Sequence, residues 1–98
     1  MRVEFKIILT ETAAKACDEL AQTDPNKLKK VYKTFGLLQT NPKHPSLQTH
    51  EYRSLKGPKG EKAFEAYVES KTPAAFRVFW YYGPGRETIT VVAVTPHP

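Results

Sequence analysis

The sequence predicts an α+β domain in which a helical hairpin covers one face of an antiparallel sheet. Three observations carry that prediction. Apolar and polar residues alternate near both ends of the chain, two blocks between them repeat apolar residues at three- and four-residue steps, and the last third reads as strand, tight loop, strand. The expected order is β-α-α-β-β-β, a strand and two helices followed by a three-stranded meander.

The first strand is expected over Arg2 to Leu9, where Val3, Phe5, Ile7 and Leu9 alternate with Arg2, Glu4 and Lys6. Thr10 or Thr12 then offers a hydroxyl to cap a helix, whose apolar stripe is Ala13, Cys17, Leu20 and Ala21. Asp24-Pro25 starts a second helix, since aspartate caps well and proline has no amide to lose at the first helical position. Its stripe is Leu28, Val31, Tyr32, Phe35 and Leu38, and Asn41-Pro42 ends it. Residues 41–60 are rich in turn formers, with only a short extended piece expected near Glu51 to Leu55. Alternation resumes from Ala63 to Glu69, Thr72-Pro73 turns the chain, and Phe76 to Tyr82 and Thr88 to Thr95 flank the loop Gly83-Pro84-Gly85-Arg86.

A chain of 98 residues is one domain, 1–98, able to bury a single core. Its 40% hydrophobic and 26% charged content fits a folded protein and argues against disorder. No apolar run approaches the ~18 residues of a membrane-spanning helix, so no membrane association and a cytoplasmic location are expected. Cys17 is the single cysteine, which excludes an internal disulfide and a cysteine-built metal site and leaves a small core residue. Residues 25–62 hold nine basic and two acidic side chains, a net +7 against +5 for the whole chain. So concentrated a basic segment favours phosphate-rich partners.

Strand alternation puts Phe64, Ala66, Val68, Phe76, Val78 and Trp80 on the helix-covered face. The opposite face receives Glu65, Tyr67, Arg77, Phe79 and Tyr81. An arginine inside an apolar strand has two readings. Beside aromatic rings it grips RNA phosphate while the rings stack bases; beside Glu65 or Glu69 it forms a structural ion pair. His97 follows the last strand and has the titration range of an acid or base. His44 and His50 lie in the loop at a spacing that fits no metal template, which leaves turn or surface packing. Gly57-Pro58-Lys59-Gly60-Glu61-Lys62 lacks the spacing of a phosphate loop.

Taken together, this order of elements, the segment Asn41-Pro42-Lys43-His44-Pro45-Ser46-Leu47 with Thr49-His50, then Leu55-Lys56-Gly57, the Phe76-Arg77-Val78-Phe79 strand and the closing Val91 to His97 resemble the RelE/ParE superfamily of bacterial toxins. The resemblance implies a RelE-like fold, no cofactor or metal, and a cognate antitoxin protein as partner. It further implies a toxin that cleaves messenger RNA on the ribosome by 2′-hydroxyl attack on the adjacent phosphate, with Arg77 and His97 as catalytic residues. Tyr67, Tyr81 and Glu65 then contact substrate, and Lys56, Lys59 and Lys62 contact ribosomal RNA. Two departures frame the alternative. Glu65 and Tyr67 stand where several relatives place lysines, and the sequence reaches Pro98 without the further basic residue or tyrosine of many active members. The alternative is a non-catalytic or ParE-type relative that binds an antitoxin or a protein target such as DNA gyrase.

Overall fold

Thr10 joins the first strand, β1 (Lys6–Leu9), to the first helix, α1 (Glu11–Thr23). Its hydroxyl accepts from the Ala13 amide at 3.2 Å and donates to the Val92 carbonyl at 3.1 Å, so one side chain caps the helix and ties it to the far end of the chain. Asp24 ends α1 and caps the second helix, α2 (Pro25–Thr40), accepting from the Lys27 amide at 3.1 Å. Both caps were legible from residue type. The computed structural model describes residues 4–69 and 72–96, so the expected start of β1 at Arg2 and Val3 lies outside the described residues, as does His97.

The stripes are buried largely as the spacing predicts. Ala13, Cys17 and Leu20 of α1 and Val31 and Leu38 of α2 are in the core, with Leu28 and Phe35 half-buried beside them. Burial pushes the Cys17 thiol pKa up, as suits an unreactive core residue. Three positions differ. Ala21 is exposed and Tyr32 is 54% exposed, while Thr34 is buried. The Thr34 hydroxyl donates to the Lys30 carbonyl at 3.0 Å, which satisfies its polar group and lets it occupy an inner position that hydropathy assigns to a bulkier neighbour.

The remaining strands are β2 (His50–Lys56), β3 (Lys62–Tyr67), β4 (Phe76–Tyr82) and β5 (Thr88–Pro96), and all five form one sheet in the order β1-β5-β4-β3-β2. The architecture is the expected α+β one, with two corrections of detail. The short extended piece is a full strand, β2, so four strands follow the helices, and β1 pairs in parallel with β5, making the sheet mixed. A parallel pair needs a long crossover, supplied here by everything between β1 and β5, and no local pattern reports such a pairing.

Between β4 and β5 the register slips by one residue. Phe79 pairs with Ala93 and Trp80 with Val91, which leaves Val92 as the extra residue whose carbonyl Thr10 satisfies. The helices lie on β1 and β5, and Ala66, Val78 and Trp80 join their core as alternation predicts, with Phe64, Val68 and Phe76 packed against it. Among the described residues no helix is long and apolar enough to cross a membrane.

Glu69, two residues past the end of β3, fastens α2 to the sheet. Its carboxylate accepts from Lys27 Nζ, from Lys30 Nζ at 3.0 Å and from the Phe76 amide at 3.3 Å. The Lys27 hydrogen bond above all, opposed by desolvation and helped by Lys30 and Phe76, lowers the Glu69 pKa to about 2. A depressed carboxylate stabilises the fold above its ordinary pKa and stops doing so as the pH falls towards the folded value. Discounted for the exposure of Lys30, the contribution at neutral pH is about 2 kcal/mol. Denaturant unfolding of Glu69→Gln against wild type should show that gap at neutral pH and its closure between pH ~4.5 and ~2; a gap that persists at pH ~2 would contradict the assignment.

Candidate active site

The geometry of the open face follows from the pairing of β2, β3 and β4. Tyr67 lies opposite Arg77 and Glu65 opposite Phe79 in the β3–β4 ladder, while His50 of β2 lies opposite Glu65. All five side chains therefore project from the side that the helices leave free. Arg77 Nη1 donates to Glu65 Oε2, and the guanidinium lies 4.9 Å from the centre of the Tyr67 ring, an aromatic contact that fixes its plane. His50 Nε2 stands 2.6 Å from Glu65 Oε1, and the edge of its ring meets Tyr67 with centroids 6.0 Å apart.

Glu65 is 2% exposed, which is unusual for a carboxylate and is possible because each of its oxygens has a nitrogen partner. The loop before β2 places His50. Thr49 donates its hydroxyl to the Pro42 carbonyl at 2.8 Å, and Gln48, in the left-handed region at φ 48°, presents its carbonyl to His50 Nδ1 at 2.9 Å. Both neighbours of the imidazole are acceptors, a carbonyl at Nδ1 and a carboxylate at Nε2.

The predicted site residues separate on this frame. Arg77, Glu65 and Tyr67 come together. Tyr81 does not join them: it is on the same side but only 7% exposed, which leaves its ring no face for a base. Tyr52 of β2, by contrast, is an exposed ring that packs on Phe79 with centroids 4.8 Å apart. Lys56 pairs directly with Lys62, and Lys59 occupies the intervening turn. These lysines form the end of the β2–β3 hairpin, and Lys62 shares the side of Phe64, so they stand apart from the Arg77 cluster. His44 packs as a turn residue, its Nδ1 accepting from the Ser46 amide at 3.1 Å.

His50 is the residue that the sequence reading missed. The alternation that marks Glu51 to Leu55 extends back to it, but its place opposite Glu65 depends on a register irregularity between Glu51 and Lys56 that residue types do not reveal. On the other side of the sheet, a groove of about 1030 Å³ runs between Phe5, Phe64, Trp80, Tyr82 and the 41–51 loop. It is mainly apolar and reaches the cluster only through His50. Among the described residues no group of three or more His, Cys, Asp or Glu side chains is placed to hold a metal ion.

Comparison with solved structures identifies the fold on which the cluster sits. The YoeB/ParE toxin from Agrobacterium tumefaciens superposes with a TM-score of 0.72 at 13% identity, over 96% of this chain and 100% of that one. RelE from the archaeal RelE–RelB complex of Pyrococcus horikoshii OT3 gives 0.69 at 13% identity over 95% and 94% of the two chains. The DinJ–YafQ toxin–antitoxin complex of E. coli gives 0.65 at 16% identity over 97% and 94%. No family model matches the sequence, and no curated protein matches it either. At these identities the likeness speaks for the backbone, and it does so over almost the whole length: the chain is built on the RelE/ParE toxin fold.

Proposed function

We propose that this protein is a RelE-like toxin that cleaves messenger RNA in the cytoplasm, on the ribosome, and that an antitoxin protein holds it in check. The observation that supports this most is the cluster itself: a buried carboxylate held by a guanidinium on one oxygen and an imidazole on the other, on the sheet face that the helices leave open. The solved complexes of similar fold with RelB and DinJ support the antitoxin.

In the proposed reaction Arg77 grips the scissile phosphate and offsets the charge that builds on it. The His50–Glu65 pair gives the proton it holds to the departing 5′-oxygen and takes that of the attacking 2′-hydroxyl in its place. A 2′-oxygen–phosphorus bond forms as the phosphorus–5′-oxygen bond breaks, leaving a 2′,3′-cyclic phosphate and a 5′-hydroxyl. His97 is the second candidate for the proton to the leaving group. Tyr67 and Tyr52 offer rings to flanking bases, and the hairpin lysines Lys56, Lys59 and Lys62 contact ribosomal RNA.

Induced expression in a bacterial host tests the reading. The wild type should stop growth, and Arg77→Lys, which keeps the charge but not the two-pronged donor geometry, should restore colony counts at least ~10-fold. A wild type that is harmless when induced alone would contradict the proposal. One observation keeps the second reading open: Glu65 already neutralises Arg77. Growth arrest with intact messages and inhibited supercoiling would favour a gyrase-binding, ParE-type activity, and neither effect together with co-purification of a small acidic protein would favour binding without catalysis.

A further inference from the structure

A buried carboxylate in contact with the arginine meant to hold a phosphate presents a difficulty that the geometry itself resolves. When the imidazole carries both its protons, the cluster sums to two cations and one anion, and it has room for one more negative charge. With one proton fewer the cluster is neutral, and an arriving phosphate meets Glu65 with only Arg77 to offset both. We propose that His50, Glu65 and Arg77 form a single phosphodiester site that takes up a proton together with its anion, the proton being held between His50 Nε2 and Glu65 Oε1.

This deepens the proposed function by naming how the same site regulates its occupancy. Four features support it. Glu65 is 2% exposed, so bulk water does little to screen it from an anion bound at Arg77. Arg77 is engaged through Nη1, and a guanidinium has further donors to give a phosphate oxygen. The 2.6 Å contact between Nε2 and Oε1 offers the proton a place where it serves the base and the carboxylate at once. The His50 side chain is 48% exposed, which gives that proton a route to solvent.

Among the described residues, the groups facing Glu65 are few. β2 contributes His50, β4 contributes Arg77 and the uncharged Phe79, and β3 itself contributes Tyr67. Glu51 pairs with Phe64 and so faces the other side of the sheet, away from the cluster. The coupling thus belongs to one imidazole, one carboxylate and one guanidinium.

The test uses a deoxydinucleotide with one phosphodiester and no 2′-hydroxyl, so that binding is read without cleavage. Its association with the full-length protein is followed by NMR titration between pH ~6 and ~8, the ordinary range of imidazole titration. A fully linked proton changes the association constant about tenfold per pH unit. We expect wild-type binding to weaken ~3–10-fold per unit as the pH rises. His50→Gln should flatten the profile, and Glu65→Gln should bind about tenfold tighter than wild type at pH ~8, because the opposing charge is gone. His44→Gln, whose ring is engaged in the 44–46 turn, should leave the slope unchanged.

A flat wild-type profile, a slope that disappears with His97→Gln instead, a Glu65→Gln variant no tighter than wild type at the high end, or no binding at all would each overturn the proposal. Native amide spectra of each variant confirm that it is folded before its affinity is read. Proton-linked binding with messages left intact would preserve this inference while removing the nuclease. Cleavage with pH-independent binding would do the reverse.

Discussion

Replacing Trp80 by alanine is expected to destabilise the protein by about 3–5 kcal/mol, the largest loss from a single core position. Trp80 is 0% exposed, stacks on Phe64 with centroids 4.9 Å apart and meets Tyr82 edge-on at 4.9 Å. Trp80 belongs to the same buried cluster as Val31 and Leu38 of α2, so its removal opens a cavity inside the core. A domain of this kind has roughly 5–15 kcal/mol of stability in all, and the variant should be near its unfolding limit at 37 °C.

Trp80→Phe separates the two contributions of the side chain. The indole Nε1 is buried and has no hydrogen-bond partner among the described residues, so it contributes desolvation cost without a compensating bond. Phenylalanine removes that group and keeps most of the ring, and the expected loss is about 1 kcal/mol or less. Urea unfolding distinguishes the cases. Equal losses for Phe and Ala would mean that the indole N–H is satisfied and that the packing argument misplaces it.

Replacing Arg77 by alanine should cost about 3 kcal/mol of stability and, under the proposed function, ~10²–10³-fold in message cleavage. The two effects have different origins. Stability falls because Glu65 remains buried with only His50 to pair it. Cleavage falls because the phosphate loses the donor that offsets its developing charge. Adding Glu65→Gln to Arg77→Ala removes the uncompensated carboxylate and should recover about half of the lost stability. It should recover none of the cleavage. A double variant that regains both would reduce Arg77 to the structural ion pair that the sequence also allows.

Much of the fold can be read from residue types because the signals are local. Thr10, Asp24 and Pro25 mark helix ends through the chemistry of unpaired amides, and strand alternation separates Val78 and Trp80 from Arg77 without any knowledge of the sheet. The parallel β1–β5 pair is not local, and neither is the placement of His50 against Glu65. Each depends on a register between segments that no short motif encodes. Tyr81 illustrates the same limit from the other side. Alternation assigns it to the open face correctly, yet it is 7% exposed, and periodicity alone does not report how far a residue on that face is covered. Arg77 was legible as an anomaly, and its pairing with Glu65 was one of the two partners considered. Glu69, the other, is taken by Lys27 and Lys30.

The claim that the open-face cluster is a phosphate-cleaving site is tested most directly by adding purified protein to ribosomes translating one defined message and mapping the new RNA ends. Wild type should produce discrete cuts ending in 2′,3′-cyclic phosphate, and the Arg77→Ala, Glu65→Gln double variant, folded by its amide spectrum, should produce none. A message left intact by wild type, or cut equally by the double variant, would contradict the account.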